Sequence, residues 1–177
     1  MSTLRTRLSR LPGPLKRSLH DALYPKLLAE GDTAPEWHLQ DHADQWHRHG
    51  KGWSLLVFYV GDEDPASEAY LRTVDDARER LGTLGVKVLG VNPAEAPSHR
   101  ALAMRAGLGF PLLTDRGGSV ARLFRAGVQI PGGFWPVATV VLVNPERKIR
   151  LVNRGTPSVE AIVRSVQALQ QAARGGM

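Results

Sequence analysis

The side chains able to do chemistry in this 177-residue chain are hydroxyls, imidazoles and carboxylates, because the sequence contains no cysteine. Ser67 follows an acidic run, Asp62-Glu63-Asp64, and His99 lies further along the chain. A serine becomes a nucleophile when an imidazole takes its proton and a carboxylate orients that imidazole. No G-x-S-x-G turn surrounds Ser67. The sequence therefore favours a serine at a helix terminus, capped by acidic residues, over a hydrolase nucleophile or a weak cation site.

Four histidines cluster between residues 38 and 49 and are candidate metal ligands: His38, His42, His47 and His49. Metal-binding histidines usually share a regular spacing on one element, and this group has no such pair on a helix. We therefore expect no metal ion and no cofactor, and interpret these residues as solvated loop histidines, with His38 in a strand. Trp37, Trp46, Trp53 and Trp135 are expected to pack in the core and at its edges rather than to stack on nucleic-acid bases.

Apolar runs that alternate with amphipathic segments position these side chains from residue 31 onward. The runs predict buried strands over 54–60, 86–91 and 137–143, the last in a hairpin with 149–153, and an edge segment over 110–115. Amphipathic patterns predict helices that begin at Asp64-Pro65, at Ser98 as N-cap, at Val120 and at Ser158. This order predicts one α/β domain, a mixed central sheet flanked by helices.

Residues 1–30 form a basic, leucine-striped extension. Leucines spaced by three and four residues predict two short helices, separated at Pro12-Gly13-Pro14. Residues 1–29 carry a net charge of +5, out of +6 for the whole chain. This charge suits an acidic protein partner or an anionic surface, either lipid or nucleic acid. It is equally consistent with a solvated tail. A leucine-striped segment of this kind more commonly docks on its own domain. The candidate binding residues are Arg5, Arg7, Arg10, Lys16 and Arg17.

The composition is that of an ordinary globular domain, with 42% hydrophobic and 23% charged residues. No apolar run approaches the ~20 residues needed to span a bilayer. The basic N-terminus lacks the apolar core of a secretory signal, since prolines interrupt it early. We therefore expect a cytoplasmic protein without a transmembrane segment.

Several motifs, in order, resemble the peroxiredoxins of the alkyl hydroperoxide reductase/thiol-specific antioxidant type, which are antioxidant redoxins. Gly31-Asp32-Thr33-Ala34-Pro35 resembles the opening G-D-x-A-P, and Phe58-Tyr59 is similar to the end of the strand before the family's active-site loop. Phe110-Pro111-Leu112-Leu113-Thr114-Asp115 resembles F-P-L-L-S-D, and Val141-Leu142-Val143-Asn144-Pro145-Glu146 resembles F-L-I-D-P-E. The resemblance covers residues 31 to about 153. It implies a thioredoxin-like domain over 31–177, preceded by the extension over 1–30.

The active-site positions depart from the pattern that this resemblance implies. The family's loop has the form P-x-x-x-[TS]-x-x-C, with a distant arginine completing the site. By this resemblance Val60 stands at the proline position, Asp64 at the threonine, Ser67 at the cysteine and Ala138 near the arginine. No arginine or lysine occurs between residues 125 and 147 that could replace the missing one. Thiol peroxidase activity is therefore not expected, because a serine cannot pass through the sulfenate–thiol cycle.

Three classes of function remain open at this stage. The leading hypothesis is a catalytically degenerate redoxin that serves as an interaction or scaffold module, with a protein partner or a second copy of itself. The alternatives are an anionic-surface binder that uses the basic extension and an enzyme with cysteine-independent chemistry in the former pocket. Phe134 and Trp135 are further candidate binding residues, since they could fill the vacated pocket or form an apolar surface for a partner.

Overall fold

An apolar run after Gly52 forms the central strand of a five-stranded sheet in this computed structural model, which describes residues 24–175. The strands of the described chain are β1 (His38–Gln40), β2 (Trp46–Arg48), β3 (Trp53–Phe58), β4 (Val86–Asn92), β5 (Leu112–Thr114), β6 (Gly127–Ile130), β7 (Gly133–Pro136), β8 (Thr139–Val143) and β9 (Ile149–Arg154). The central sheet has the order β5-β4-β3-β8-β9. Strands β3, β4 and β5 run parallel, whereas β8 is antiparallel to both β3 and β9. The mixed sheet agrees with the sequence prediction.

Helices flank this sheet. The described helices are α1 (Pro65–Asp76), α2 (Arg78–Thr83), α3 (Ala96–Ala106), α4 (Ser119–Leu123) and α5 (Val159–Gly175), with a short 3₁₀ turn at Arg116–Gly118. The helix predicted to begin at Asp64-Pro65 ends at Asp76, and a second helix begins at Arg78, because the backbone leaves the helical region at Ala77 (φ −96°, ψ 0°). No described helix is long and apolar enough to cross a membrane.

The side chains of β3 alternate between two cores, one on each face of the sheet. Leu55 and Val57 belong to a cluster that α1, α2, α3 and α5 complete, whereas Leu56 and Phe58 belong to a second cluster on the opposite face. A strand buried on both faces has a continuous apolar run, because neither face meets water. This double burial fixes the position of the loop that follows β3.

Two short hairpins were not predicted. Strands β1 and β2 pair antiparallel and lie against the β5 edge through an Asp41–Leu113 bridge. Strands β6 and β7 pair within residues 127–136, where the sequence favoured a glycine- and proline-rich loop. The prediction of Ser98 as a helix N-cap was wrong, because α3 begins at Ala96 with Glu95 as its N-cap residue. Pro97 lies in the first turn, where its missing N–H has no helical partner to lose.

The described chain begins on the rim of the domain. Arg125 donates a hydrogen bond to the Lys26 carbonyl (2.9 Å), and Arg154 donates one to the Pro25 carbonyl (2.8 Å). The Arg154 guanidinium also lies 5.0 Å from the centre of the Tyr24 ring. Residues 1–23, which include the predicted leucine-striped helices and the basic candidate binding residues, lie outside the described residues.

Candidate functional site

Asp64 caps the first turn of α1 at the carboxyl end of β3. Its backbone is extended (φ −88°, ψ 114°), and its carboxylate accepts a hydrogen bond from the Ser67 N–H (2.8 Å). Pro65 follows at the first helical position, where its fixed φ suits the helix. An acidic N-cap satisfies one of the unpaired N–H groups of the first turn and complements the helix dipole. The prediction that a helix starts at Asp64-Pro65 is confirmed.

The Ser67 hydroxyl is held between the cap and the preceding loop. It donates a hydrogen bond to the Asp64 carboxylate (2.6 Å) and accepts one from the Val60 N–H (3.2 Å). Ser67 is only 6% exposed. The hydroxyl proton therefore points at Asp64, within the turn, and not towards an imidazole.

A second buried group lies in the same loop. Asp62 accepts hydrogen bonds from the Tyr59 hydroxyl (2.8 Å) and from His99 Nδ1 (2.9 Å to Oδ2). The carboxylate can only accept, so His99 carries a proton on Nδ1. The Tyr59 hydroxyl and His99 Nδ1 lie 3.2 Å apart because both donate to the same carboxylate. His99 Nε2 is buried without a hydrogen-bond partner among the described residues.

The pKa values of this buried group follow from its contacts. Burial raises the pKa of the Tyr59 phenol well above its ordinary value, and the neighbouring negative charge of Asp62 raises it further. Burial also raises the pKa of Asp62, but the hydrogen bonds from His99, Ser98 and Tyr59 outweigh that effect and leave the pKa below its ordinary value. Asp62 is therefore ionised near neutral pH, and Tyr59 is neutral.

The loop that carries Asp62 and Asp64 is thus attached to α3. His99 of α3 binds the Asp62 side chain, and Arg105 of the same helix donates to the Asp62 carbonyl (2.8 Å). The hydrolase alternative required His99 to serve Ser67, but His99 hydrogen-bonds to Asp62 instead. The structure brings Val60, Asp64 and Ser67 together and leaves His99 in a separate cluster.

Comparison with known proteins identifies the family of this chain. The AhpC/TSA family model matches residues 31–152, which is most of the chain. The chain belongs to the AhpC/TSA family. Among curated relatives it is 28% identical over 120 residues to the chloroplastic peroxiredoxin Q of Triticum aestivum, covering 63% of this chain and 52% of the relative. It is 29% identical over 114 residues to that of Arabidopsis thaliana, covering 59% and 50%. The matched region spans about half the length of these relatives.

Solved structures show the fold of this AhpC/TSA domain to be thioredoxin-like, as predicted. Peroxidoxin BcpB from Mycobacterium tuberculosis superposes with a TM-score of 0.74 at 20% identity, covering 80% of this chain and 97% of that one. A mutant of Xylella fastidiosa PrxQ superposes with a TM-score of 0.75 at 19% identity, covering 82% and 99%.

Ala138, which the sequence resemblance places near the family's arginine, follows strand β7 and precedes strand β8. Ala138 immediately precedes Thr139, which pairs with Phe58 on one side and with Arg154 on the other. Ala138 therefore lies at the same end of the sheet as the loop after β3. Arg154 is the arginine that the hairpin register brings to this end, and no sequence motif pointed to it. Its guanidinium donates to the carbonyls of Pro25 and Arg125 and so faces the chain that enters the domain.

Phe134 and Trp135 occupy different environments. The Phe134 ring packs against Gly118 and Gly127, where a Cβ would overlap it, and lies 4.6 Å from the Arg122 guanidinium. Phe134 thus packs against the second core cluster. Trp135 is 42% exposed. The hypothesis that these residues bind a partner stays a prediction.

The clustered histidines have separate contacts, and the interpretation as solvated loop residues was wrong for His47, which lies in β2 and is half-buried against Asp41. His47 pairs with Asp41 (2.7 Å) and accepts from Lys87 (2.9 Å), whereas His42 accepts from the Leu112 N–H (3.2 Å). His38 lies in β1, as predicted, and its ring stacks on Trp46. Among residues 24–175 there is no group of three or more histidine, aspartate or glutamate side chains placed to hold a metal ion.

Proposed function

We propose that this chain is a catalytically inactive redoxin, a pseudoenzyme, that acts by binding another protein. The Asp64–Ser67 pair carries the proposal. The hydroxyl at the position of the family's cysteine donates to a carboxylate and accepts a backbone N–H. Peroxide reduction in this family needs a thiolate that attacks the peroxide oxygen and is then recycled. A serine hydroxyl is far less acidic than a thiol and forms no sulfenate.

The electrostatics around Ser67 support the same conclusion. Asp64 places a carboxylate 2.6 Å from the Ser67 oxygen, so any negative charge that developed on that oxygen would be repelled. Ala138 supplies no cation where the resemblance implies the family's arginine, and the Arg154 guanidinium donates to the carbonyls of Pro25 and Arg125. A nucleophile and an oxyanion both need positive potential at this point. The Val60 N–H donates to the Ser67 oxygen there, but the Asp64 carboxylate opposes its effect.

Peroxide consumption tests the catalytic half of the proposal. We expect the wild-type protein to leave hydrogen peroxide and an alkyl hydroperoxide unreduced in the presence of a dithiol reductant. Ser67→Cys alone should gain little activity, because Asp64 opposes ionisation of the new thiol. Ser67→Cys combined with Asp64→Thr and Ala138→Arg should gain more.

The matched control is Ser165→Cys, which places a thiol on the distant helix α5 and reports the background reactivity of any added cysteine. Fast peroxide reduction by Ser67→Cys alone, well above this control, would show that the site is misplaced. Cysteine-independent activity that survives Ser67→Ala, Asp64→Asn and His99→Ala would exclude those residues as its source.

Affinity capture tests the binding half. We expect an identified protein partner to be retained equally by the wild type and by Ser67→Ala, since no chemistry at that hydroxyl is required. A variant with neutralised arm residues (Arg5, Arg7, Arg10, Lys16 and Arg17 to Gln) separates the two binding hypotheses. Retention by this variant supports a site on the folded domain. Loss of binding, with a steep salt dependence in the wild type, favours the anionic-surface alternative through the arm.

A further inference from the structure

The β1–β2 hairpin presents one polar and aromatic face to solvent. The register pairs His38 with Arg48 and Gln40 with Trp46, and these four side chains alternate with the inward Leu39 and His47. The hairpin is attached to the central sheet, because Asp41 forms a backbone β-bridge with Leu113 of the edge strand β5. The outward face is therefore a fixed platform and not a free loop.

Trp46 is the dominant feature of this platform. Its side chain is 61% exposed, which contradicts the expectation that all four tryptophans pack in the core and at its edges. The His38 ring stacks beside it, with ring centroids 4.5 Å apart and planes tilted by 37°. This contact fixes the orientation of the indole while leaving most of its surface in water. An exposed indole in this arrangement can stack with a second aromatic ring.

Two cations close to Trp46 in the sequence, Arg48 on the same face of β2 and Lys51 in the loop that follows it, have no side-chain partner within residues 24–175. Arg48 and Lys51 are exposed, and their side chains make no hydrogen bond or ion pair there. Most arginines elsewhere in that range do pair, as Arg80 does with Glu160 and Arg116 with Glu95. An unpaired arginine on the same strand face as an exposed indole, followed in the chain by an unpaired lysine, suits a ligand that combines a flat ring with negative charge.

The acidic residue nearest in sequence to the platform's strands is turned away from this face. The Asp41 carboxylate is 5% exposed and is occupied by His47 (2.7 Å) and by the N–H groups of Ala43 and Gln45. Burial raises the pKa of Asp41, but these hydrogen bonds outweigh it and leave the pKa below its ordinary value. Its carboxylate oxygens are thus occupied by hydrogen bonds inside the hairpin, and Asp44 at the turn is the exposed acid nearest to this face in the sequence.

We propose that the outward face of the β1–β2 hairpin binds single-stranded nucleic acid, with an unpaired base stacked on Trp46 and the flanking phosphates held by Arg48 and Lys51. Stacking on an aromatic platform beside cations is a general mode of single-strand binding. A membrane surface fits less well. Membrane insertion needs several protruding apolar side chains, and Trp46 is the single apolar residue among the four outward ones. The proposed site is independent of Ser67 and of the function proposed above.

Fluorescence anisotropy of a short fluorescein-labelled oligothymidylate tests the proposal with the full-length protein at low and at physiological salt. Base–aromatic stacking predicts that Trp46→Ala weakens binding at least about fivefold, whereas Trp46→Phe keeps most of the affinity. Replacing both Arg48 and Lys51 with glutamine should reduce the salt slope by about 0.7 for each phosphate that is no longer neutralised. The matched control is Met104→Ala, which removes another exposed large apolar side chain, on helix α3, and should bind as the wild type does.

The results that would contradict the proposal can be told apart. If Trp46→Ala binds the oligonucleotide as tightly as the wild type, any binding belongs to the basic arm and the proposal is wrong. It is equally wrong if the wild type does not bind. A surface that instead binds phosphatidylserine vesicles through Trp46, with no affinity for the oligonucleotide, is a membrane site. Because Trp46 is exposed, these variants should fold, which circular dichroism checks.

Discussion

The Asp62 carboxylate and the His99 imidazole meet at 2.9 Å, and both side chains are buried. Asp62 belongs to the loop after β3, and His99 belongs to α3. Their contact therefore joins the loop that carries the Ser67 site to a helix packed on the same face of the sheet. The loop geometry depends on this pair as much as on its own sequence.

Removing one member of this pair should destabilise the fold strongly. Asp62→Ala or His99→Ala leaves the hydrogen-bonding groups of the remaining partner buried and unpaired, at an expected cost of about 1–3 kcal/mol. Urea denaturation measures the change. The control is Glu68→Gln, which breaks exposed contacts to Arg72 and Arg105 and should cost about 0–1 kcal/mol. Equal stabilities of the Asp62 and Glu68 variants would show that the buried pair is not structural.

Tyr59 should make the fold sensitive to alkali. Its pKa is raised in the folded state by burial and by Asp62, so the folded protein keeps a proton that the unfolded chain loses above about pH 10. Stability is then fully present below that pH and falls as the pH rises through it. Tyr59→Phe should flatten this alkaline loss, measured as the free energy of unfolding against pH.

Tyr70 provides the comparison for that measurement, since burial raises its pKa to about 12. Tyr70→Phe should partly reduce the loss of stability at alkaline pH. The double variant, Tyr59→Phe with Tyr70→Phe, should reduce this loss most. The slope is the quantity to compare, because each phenylalanine also changes stability at neutral pH. A Tyr59→Phe slope identical to that of the wild type would contradict the assignment.

The Asp64 cap should contribute measurably to the stability of α1. Asp64→Ala removes the acceptor for the Ser67 N–H and hydroxyl and should cost about 1 kcal/mol, whereas Asp64→Asn should cost less because asparagine also caps well. Chemical denaturation gives both values. Glu63→Ala is the matched control, as Glu63 is exposed and makes no hydrogen bond within residues 24–175. If Glu63→Ala costs as much as Asp64→Ala, the cap is not the cause.

Gly127 should not accept a side chain. An alanine Cβ there would overlap the Phe134 ring and lie 2.6 Å from the Trp135 carbonyl oxygen, so Gly127→Ala should destabilise by about 1–3 kcal/mol. Gly82→Ala is the control, and it should increase the stability of the fold rather than reduce it. Nothing lies near a Cβ at Gly82 within α2, and alanine is better than glycine in a helix by about 0.5–1 kcal/mol. Thermal unfolding distinguishes the two directions.

The sequence predicts those features that local pattern controls. The apolar run of β3 identifies a strand buried on both faces, and the spacing of Asp64 and Ser67 identifies an N-cap and the third residue of its helix. The contact of Asp62 with His99 was not predictable in this way, because it depends on how α3 packs against the loop. The β1–β2 hairpin escaped prediction because its strands are three residues each and carry mostly polar side chains.

The capped first turn of α1 also changes what approaches this end of the domain. A free helix N-terminus attracts anions, since its unpaired N–H groups carry partial positive charge. Here the chain supplies its own anion, the Asp64 carboxylate. Phosphate, carboxylate and peroxide anions therefore meet a site that is already neutralised. A partner that docks over this turn would present lysine or arginine, or neutral polar groups, rather than acidic side chains.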